Sequence, residues 1–398
     1  MIIAKKITGN VSRSAHPIGC KQAVLEQINY VKTQGEFEGP KKVLILGASS
    51  SYGLASRIAL AFGCHADTIG VSFERGIFSE EKLATAGWWN NIFFKQEAEK
   101  QGLIAKNFIA DAFTDETRDE VIRYIKEEFG GKIDLLIYSL AAPKRKDPAT
   151  GDVYSSVIKP IDEPFRGLNI NIETGELFEQ QIEPATEDEI NQTVKVMGGE
   201  DWELWVRALH QEDVMAEGFK TTLYSYIGPE VTQPIYGKGT LGCAKRHAED
   251  TAEKLNTFLQ DVVNGECIVS SSKAVTTKAS AVIPTFPLYA SALYKVMVEK
   301  GLHETPIMHK VRFFRDMLYG SKREIDEVGR LRPDNLEMSE DIQSEVKTII
   351  AQITQGNFKD ITAFDLFREE FLQINGFNID GVDYEIDLDL EELKQLQP

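Results

Sequence analysis

Cysteine is scarce in this 398-residue chain. Its four cysteines, Cys20, Cys64, Cys243 and Cys267, are far apart and form no C-x-x-C pair. That usage points to reduced, cytosolic thiols and argues against a disulfide framework. Positive charge is in deficit too. The 44 lysines and arginines face 62 aspartates and glutamates, a net charge of −18. So acidic a chain repels phosphate backbones and anionic lipid at long range, which argues against nucleic-acid and membrane partners. A local backbone nest can still hold a small anion. No apolar run approaches the ~20 residues of a membrane span. The opening MIIAKKITGN has no signal-peptide core, and the expected location is cytoplasmic. The six histidines, His16, His65, His210, His247, His303 and His309, include no H-E-x-x-H pair, and no metal site is expected. No G-x-S-x-G elbow or Cys–His nucleophile pattern occurs.

Hydrophobic residues at 42% and charged residues at 27% are those of an ordinary globular protein. The length allows two or three domains or one large α/β unit. A β run over 43–46 meets a small-residue turn and then a helical stretch. A second strand is expected over 67–74, helix over 93–102, a third strand over 103–110 ending at Asp111, helix over about 115–129, and a fourth strand over 133–138. This alternation predicts a parallel sheet with helices on both faces. Residues 143–185 break the pattern and suggest a hairpin around Thr174-Gly175. Helical segments near 187–197 and 200–210 precede a fifth strand over 221–228. The sequence ECIVSSSKAV reads as a sixth, and helix is expected over about 287–317 and 339–374. The fold class is therefore α/β, an enlarged Rossmann-type doubly wound parallel sheet with added helices and a small β-hairpin insertion. It forms a single domain over 1–398, with core elements at about 40–142 and 220–320, the insertion at about 143–185 and a C-terminal helical region at about 335–398.

The turn after the first strand, Gly47, Ala48, Ser49, Ser50, Ser51, Tyr52, Gly53, has the context of a dinucleotide-binding motif. Small residues let backbone N–H groups approach a pyrophosphate, and the following helix N-terminus favours its charge. Ser51 replaces the middle glycine, at a cost if its φ is positive. Glu74, at the end of the second strand, lies 21 residues beyond Gly53. A carboxylate there accepts from the ribose 2′-OH and repels a 2′-phosphate, so NADH is expected over NADPH. Asp111 and the residues from Ser139 to Ala141 end the third and fourth strands on the same edge.

Tyr236 and Lys245 are nine positions apart, with Gly237, Gly239 and Gly242 between them. The glycines predict a non-helical lead-in, from which tyrosine and lysine both face the cofactor. A lysine ammonium beside a phenol would lower the phenol's pKa. Tyr226 is a second phenol, placed on the fifth strand. A buried tyrosine with a hydrogen-bonded hydroxyl is the competing reading.

Several unusual segments carry a resemblance: AHPIGC, GPKKVLILGASSSYGLASR, GVSFE, TAGWWNN, KVMGGEDW, YSYIGPE, IYGKGTLGCAK and NGFNIDGVDYE. Almost end to end, the chain resembles the trans-2-enoyl-CoA reductase family, which includes a type of bacterial NADH-dependent enoyl-[acyl-carrier-protein] reductase. The resemblance implies a monomeric enzyme with an enlarged Rossmann fold. It puts the family's Y-x8-K pair on Tyr236 and Lys245, and its substrate-contacting tyrosine on Tyr226. Its cofactor contacts carry to Gly47, Ala48, Ser49, Ser50, Ser51, Tyr52, Phe73, Glu74, Asp111, Ala112, Leu140, Ala141, Lys245, Val275, Thr276 and Thr277. Two departures stand out: Ser51 where glycine is expected, and Trp89 where tyrosine is common.

The reaction implied is NADH-dependent reduction of the C2–C3 double bond of trans-2-enoyl-CoA, with hydride transfer to C3 and tyrosine-assisted protonation. An enoyl-acyl-carrier-protein reductase of fatty-acid synthesis is the alternative, and acidic carrier proteins would be repelled at long range by a charge of −18. A ketone or aldehyde reductase would bring three residues between tyrosine and lysine rather than eight. A non-catalytic dinucleotide sensor is a rival of another class, supported only by Ser51. Lys144, Arg145 and Lys146 read as a solvated loop or, less favourably, as a contact for coenzyme A phosphates.

Overall fold

Burial on both faces builds the central sheet. The structure is a computed structural model that describes residues 1–398. Its strands are β1 (Lys42–Leu46), β2 (Asp67–Ser72), β3 (Ala105–Ile109), β4 (Ile133–Tyr138), β5 (Met215–Ser225) and β6 (Glu266–Ser271). Along β1, Val43 and Ile45 join one core cluster while Leu44 and Leu46 join another on the opposite face. Successive side chains point to opposite faces, and a parallel sheet covered on both sides is apolar throughout. All six strands pair in parallel, in the order β6-β5-β4-β1-β2-β3. This is the Rossmann order, in which ligands bind beyond the carboxyl ends of the strands where the order reverses, between β1 and β4.

One face is covered by α1 (Pro17–Thr33), α2 (Ser51–Cys64) and α3 (Ala86–Lys100). The other is covered by α4 (Asp115–Glu127), α5 (Glu200–Gln211) and α6 (Thr240–Val263), with Trp202 and Trp205 fully buried between sheet and helix. A third core lies past the sheet's carboxyl edge. It is built from α7 (Phe286–Glu299), α8 (Glu340–Gln352) and α9 (Phe364–Gln373), and it includes Tyr236. The expected hairpin is present, Phe165–Asn171 pairing antiparallel with Glu176–Ile182 across Thr174-Gly175.

Several element ends differ from the sequence expectation. Strand β2 ends at Ser72, so Glu74 lies two residues into the following loop. Strand β5 ends at Ser225, so Tyr226 lies one residue past it. Helix α6 begins at Thr240 and takes Gly242 into its first turn. Gly242 is there for space: a Cβ on it would lie 2.1 Å from the carbonyl oxygen of Gly237. The expected helix over 287–317 is interrupted: α7 stops at Glu299, where Gly301 at φ +68° lets the chain turn out of the helix, and Thr305 is extended ahead of Pro306, as a residue before proline tends to be. Helix α3 starts well before 93, its first turns masked in the sequence by Trp88, Trp89, Asn90 and Asn91.

Candidate active site

The β1–α2 turn sits where the strand order reverses. Gly47 has φ +85°, and a Cβ on it would lie 2.2 Å from the carbonyl oxygen of Ser139, at the end of the neighbouring β4. Only glycine lets these two strand ends come so close. Ala48 and Ser49 are buried, and the N–H groups of Gly47 and Ala48 both donate to Val71 on β2. Ser51 has φ +50°, the left-handed backbone that favours glycine, so the departure from the family pattern falls on a strained residue. The side chain of Asn90 donates to the Ser49 carbonyl at 2.9 Å and ties α3 to the turn.

Glu74 is oriented before any ligand arrives. One carboxylate oxygen accepts from the Ser49 hydroxyl at 2.6 Å and the other from the Thr85 hydroxyl. Phe73 beside it is 83% exposed, an uncovered aromatic face at the adenosine end. Asp111 turns back to accept from the N–H of Phe113 at 3.0 Å. The Ala112 carbonyl is engaged by the indole N–H of Trp205. Leu140 is half-buried and Ala141 exposed at the end of β4, while Val275, Thr276 and Thr277 are buried beyond β6. The Thr276 hydroxyl lies 2.8 Å from both Tyr294 Oη and a carboxylate oxygen of Glu370. Tyr52 folds away from the turn, its hydroxyl donating to the Lys273 carbonyl. A glycine-spaced turn, a preoriented carboxylate and an open aromatic face fit a dinucleotide with a free 2′-OH.

Beyond the same edge, Tyr226 and Tyr236 meet edge to face, ring centroids 4.8 Å apart. Phe286 packs on the far side of Tyr226 at 6.4 Å. The Tyr226 hydroxyl donates to Glu337 Oε1 at 2.9 Å. The Tyr236 hydroxyl has no hydrogen-bond partner within the protein. Its acidity is weakened by burial and then by Glu337, and Lys245 does not offset this. The expected lowering of the Tyr236 pKa by lysine is therefore overturned: burial outweighs it, and Tyr236 stays a neutral phenol. Lys245, on the second turn of α6, is half-buried and without an ion pair; burial pushes its pKa down to about 8.

Sequence reasoning did not find Asn90, Thr85, Tyr289 or Glu337. The W-W-N-N run could have drawn attention to Asn90, but nothing near Glu337 in PDNLEMSE marks it as an inward-facing acid. Arg145 is buried and bonded to Glu200 and to the Lys195 carbonyl, so it is no part of an open basic cluster. Trp89 is core. His16 caps α1, accepting from the Gly19 N–H, and burial lowers its pKa.

Comparison with known proteins places this geometry in context. The family model for the trans-2-enoyl-CoA reductase catalytic region matches residues 82–319. That for the NAD(P)H binding domain of trans-2-enoyl-CoA reductase matches residues 2–78. A third, described as an enoyl reductase FAD binding domain, matches residues 325–388. The chain is 53% identical to a trans-2-enoyl-CoA reductase [NADH] of Clostridium beijerinckii, with 100% of both chains covered. It is 51% identical to an enoyl-[acyl-carrier-protein] reductase [NADH] 2 of Photobacterium profundum, again with 100% of both covered. A crystal structure of the Clostridium acetobutylicum trans-2-enoyl-CoA reductase in complex with NADH superposes with a TM-score of 0.98 at 51% identity, covering 100% of both chains. Residues 325–388 do not fit a flavin dinucleotide. They form helices without a strand–turn–helix nest, and their buried acids Asp334 and Glu337 are already bonded inside the protein.

Proposed function

The chain belongs to the trans-2-enoyl-CoA reductase family, and on that premise we propose how its own residues carry out the reaction. It is an NADH-dependent reductase of the C2–C3 double bond of trans-2-enoyl thioesters. When bound, NADH supplies a hydride to C3, and negative charge then develops on the thioester oxygen. Tyr236 donates a hydrogen bond to that oxygen and is the proton source for the resulting enolate. A donor aimed where charge develops is worth about 3–4 kcal/mol of barrier. Burial suits Tyr236 to this role, because a proton donor must still hold its proton at neutral pH. Tyr226 holds the Tyr236 ring and walls the place of the thioester. Lys245 engages the cofactor ribose, and Glu74 accepts from the other ribose. The turn from Gly47 to Tyr52 cradles the pyrophosphate, with Asp111, Ala112, Leu140, Ala141, Val275, Thr276 and Thr277 lining the rest of the cofactor path. The observation that carries the catalytic assignment is the Tyr236 hydroxyl, unpartnered and accessible at the sheet's carboxyl edge on a residue that is otherwise buried.

We take the acyl carrier to be coenzyme A. The net charge of −18 disfavours an acidic carrier protein at long range, although screening over ~8–10 Å limits this effect. The similarity to a relative named for acyl-carrier-protein substrates favours the second reading, a step of fatty-acid synthesis. The four free thiols, three of them buried, agree with a cytoplasmic setting, and we take the whole chain as one enlarged Rossmann-type unit acting as a monomer. Initial rates of NADH oxidation with crotonyl-CoA and with a crotonyl carrier-protein thioester decide between the carriers. A much higher kcat/KM for the CoA ester is expected; the reverse would assign the protein to acyl-carrier-protein substrates.

A further inference from the structure

Glu337 is fully buried, yet it belongs to no ion pair. It comes from the loop ahead of α8, a hundred residues beyond the tyrosine pair in sequence. Its Oε1 accepts two phenolic protons, from Tyr226 at 2.9 Å and from Tyr289 of α7 at 2.6 Å. Its Oε2 accepts the backbone N–H of Ala274 at 2.5 Å. The far side of this cluster is fixed by Gln343, whose side-chain amide donates to Tyr289 Oη at 3.1 Å and to the Glu337 carbonyl at 2.7 Å. One carboxylate thus ties the tyrosine loop after β5, helix α7 and the segment that runs from β6 into Val275, Thr276 and Thr277. A buried acid kept for stability alone is poorly motivated, since desolvation opposes it. Three donors converging on it at an active site call for a use.

A hydroxyl has one proton to give and two lone pairs. The Tyr226 proton is spent on Glu337, so Tyr226 cannot donate to a substrate oxygen while that bond stands. Tyr236, in contact with the same ring, has no such commitment. We propose that Glu337 is a positioning residue of the active site: it fixes the Tyr226 ring against Tyr236 and occupies the Tyr226 proton, leaving Tyr236 as the one phenol of the pair free to donate to the thioester oxygen. This rests on the reading of Tyr236 as donor and Tyr226 as its neighbour at the substrate.

The inference predicts that Glu337 acts through Tyr226. In Glu337→Gln the amide presents a donor either to the phenols or to the Ala274 N–H, and the Tyr226 bond is lost or reoriented. With crotonyl-CoA, kcat should fall about tenfold, the usual loss for a hydrogen bond to a charged group. KM and the NADH dissociation constant should stay within about threefold. The deciding measurement is the same substitution in a Tyr226→Phe background, where there is no proton to hold. There Glu337→Gln should cost less than about twofold in kcat. Should Glu337→Gln not fold, Glu337→Asp keeps the charge but withdraws it from the phenols, and the same pattern is expected. Equal losses in both backgrounds would overturn the proposal, as would a loss of NADH affinity matching the loss of kcat. If Tyr226→Phe alone has wild-type kcat, the assigned place of Tyr226 fails and the proposal falls with it. If Tyr226→Phe is impaired and the effects add, only the role of Glu337 fails.

Discussion

The rings of Tyr226 and Tyr236 lie 4.8 Å apart at an interplanar angle of 70°, but their hydroxyls have different fates. That of Tyr226 is held by Glu337, and that of Tyr236 is not held at all. The Tyr236 hydroxyl, unpartnered on an otherwise buried residue, keeps its proton free to give to a ligand. Tyr236→Phe should therefore lower kcat by about 10²–10³-fold, with NADH affinity unchanged within about twofold and the melting temperature little changed, since no protein hydrogen bond is lost. Stopped-flow hydride transfer and NADH fluorescence titration separate the two effects. A drop in NADH affinity as large as the drop in kcat would make Tyr236 a structural residue.

Lys245 gives a pH dependence whose sign is fixed. Burial brings its pKa down to about 8, against an ordinary value near 10.4. Below about 8 the folded protein presents an ammonium to the anionic cofactor; above it, a neutral amine. The NADH dissociation constant should rise as pH increases through 8, and NADH binding between pH 8 and 9 should take up protons. Calorimetry in two buffers of different ionisation enthalpy measures that uptake. Lys245→Met should abolish both trends, and affinity that stays level from pH 7 to 9.5 would remove Lys245 from the cofactor site. For stability the sign is opposite: the unfolded chain binds the extra proton between about 8 and 10.4, so this group's contribution to stability grows as pH rises across that window.

Local signals account for what the sequence makes legible. Strands β1 and β4 are readable because each is an apolar run, and Ile133–Tyr138 ends where the pattern ends; β5 starts at Met215, six residues before its expected start, because Glu217, Gly218 and Lys220 interrupt its apolar pattern. The β1–α2 turn is readable because its small residues recur at a fixed spacing between a strand and a helix. Tyr226, Tyr236 and Lys245 stand out only through long unusual segments, YSYIGPE and IYGKGTLGCAK, and not through helical geometry. Glu337 is invisible for a physical reason: an acid is exposed by default, and only tertiary packing against Tyr226, Tyr289 and Ala274 reveals it as buried. The pKa of Tyr236 is hidden in the same way, since sequence supplies the neighbouring lysine but not the burial that outweighs it.

Glu74 should control the choice of dinucleotide. Its carboxylate is fixed by Ser49 and Thr85, so it does not swing away from a 2′-phosphate. Glu74→Ser removes that charge and should narrow the preference for NADH over NADPH by on the order of tenfold, matching the removal of one or two kcal/mol of partly screened repulsion. The NADPH term should improve while NADH weakens through loss of the ribose hydrogen bond. The ratio of kcat/KM values for the two cofactors is the readout. An unchanged ratio would mean that discrimination resides elsewhere.

Ser51 holds a left-handed backbone, φ +50°, at the start of α2. For a residue with a Cβ that conformation costs roughly 1–2 kcal/mol. Glycine would relieve it but would also add freedom to the unfolded chain, worth roughly 0.5–1 kcal/mol. The balance favours Ser51→Gly by about 0.5–1 kcal/mol, a rise in melting temperature on the order of 1–2 °C for a chain this long. The cofactor should report the same strain differently. The serine side chain forms none of the turn's internal hydrogen bonds, so its loss removes no support, and the backbone N–H groups beside it gain freedom to close on a pyrophosphate. NADH affinity should hold or improve in the glycine variant. A loss of affinity together with a gain in melting temperature would show that the Ser51 hydroxyl itself contacts the cofactor. A fall in melting temperature would mean that the serine is favoured in this backbone by something other than its φ.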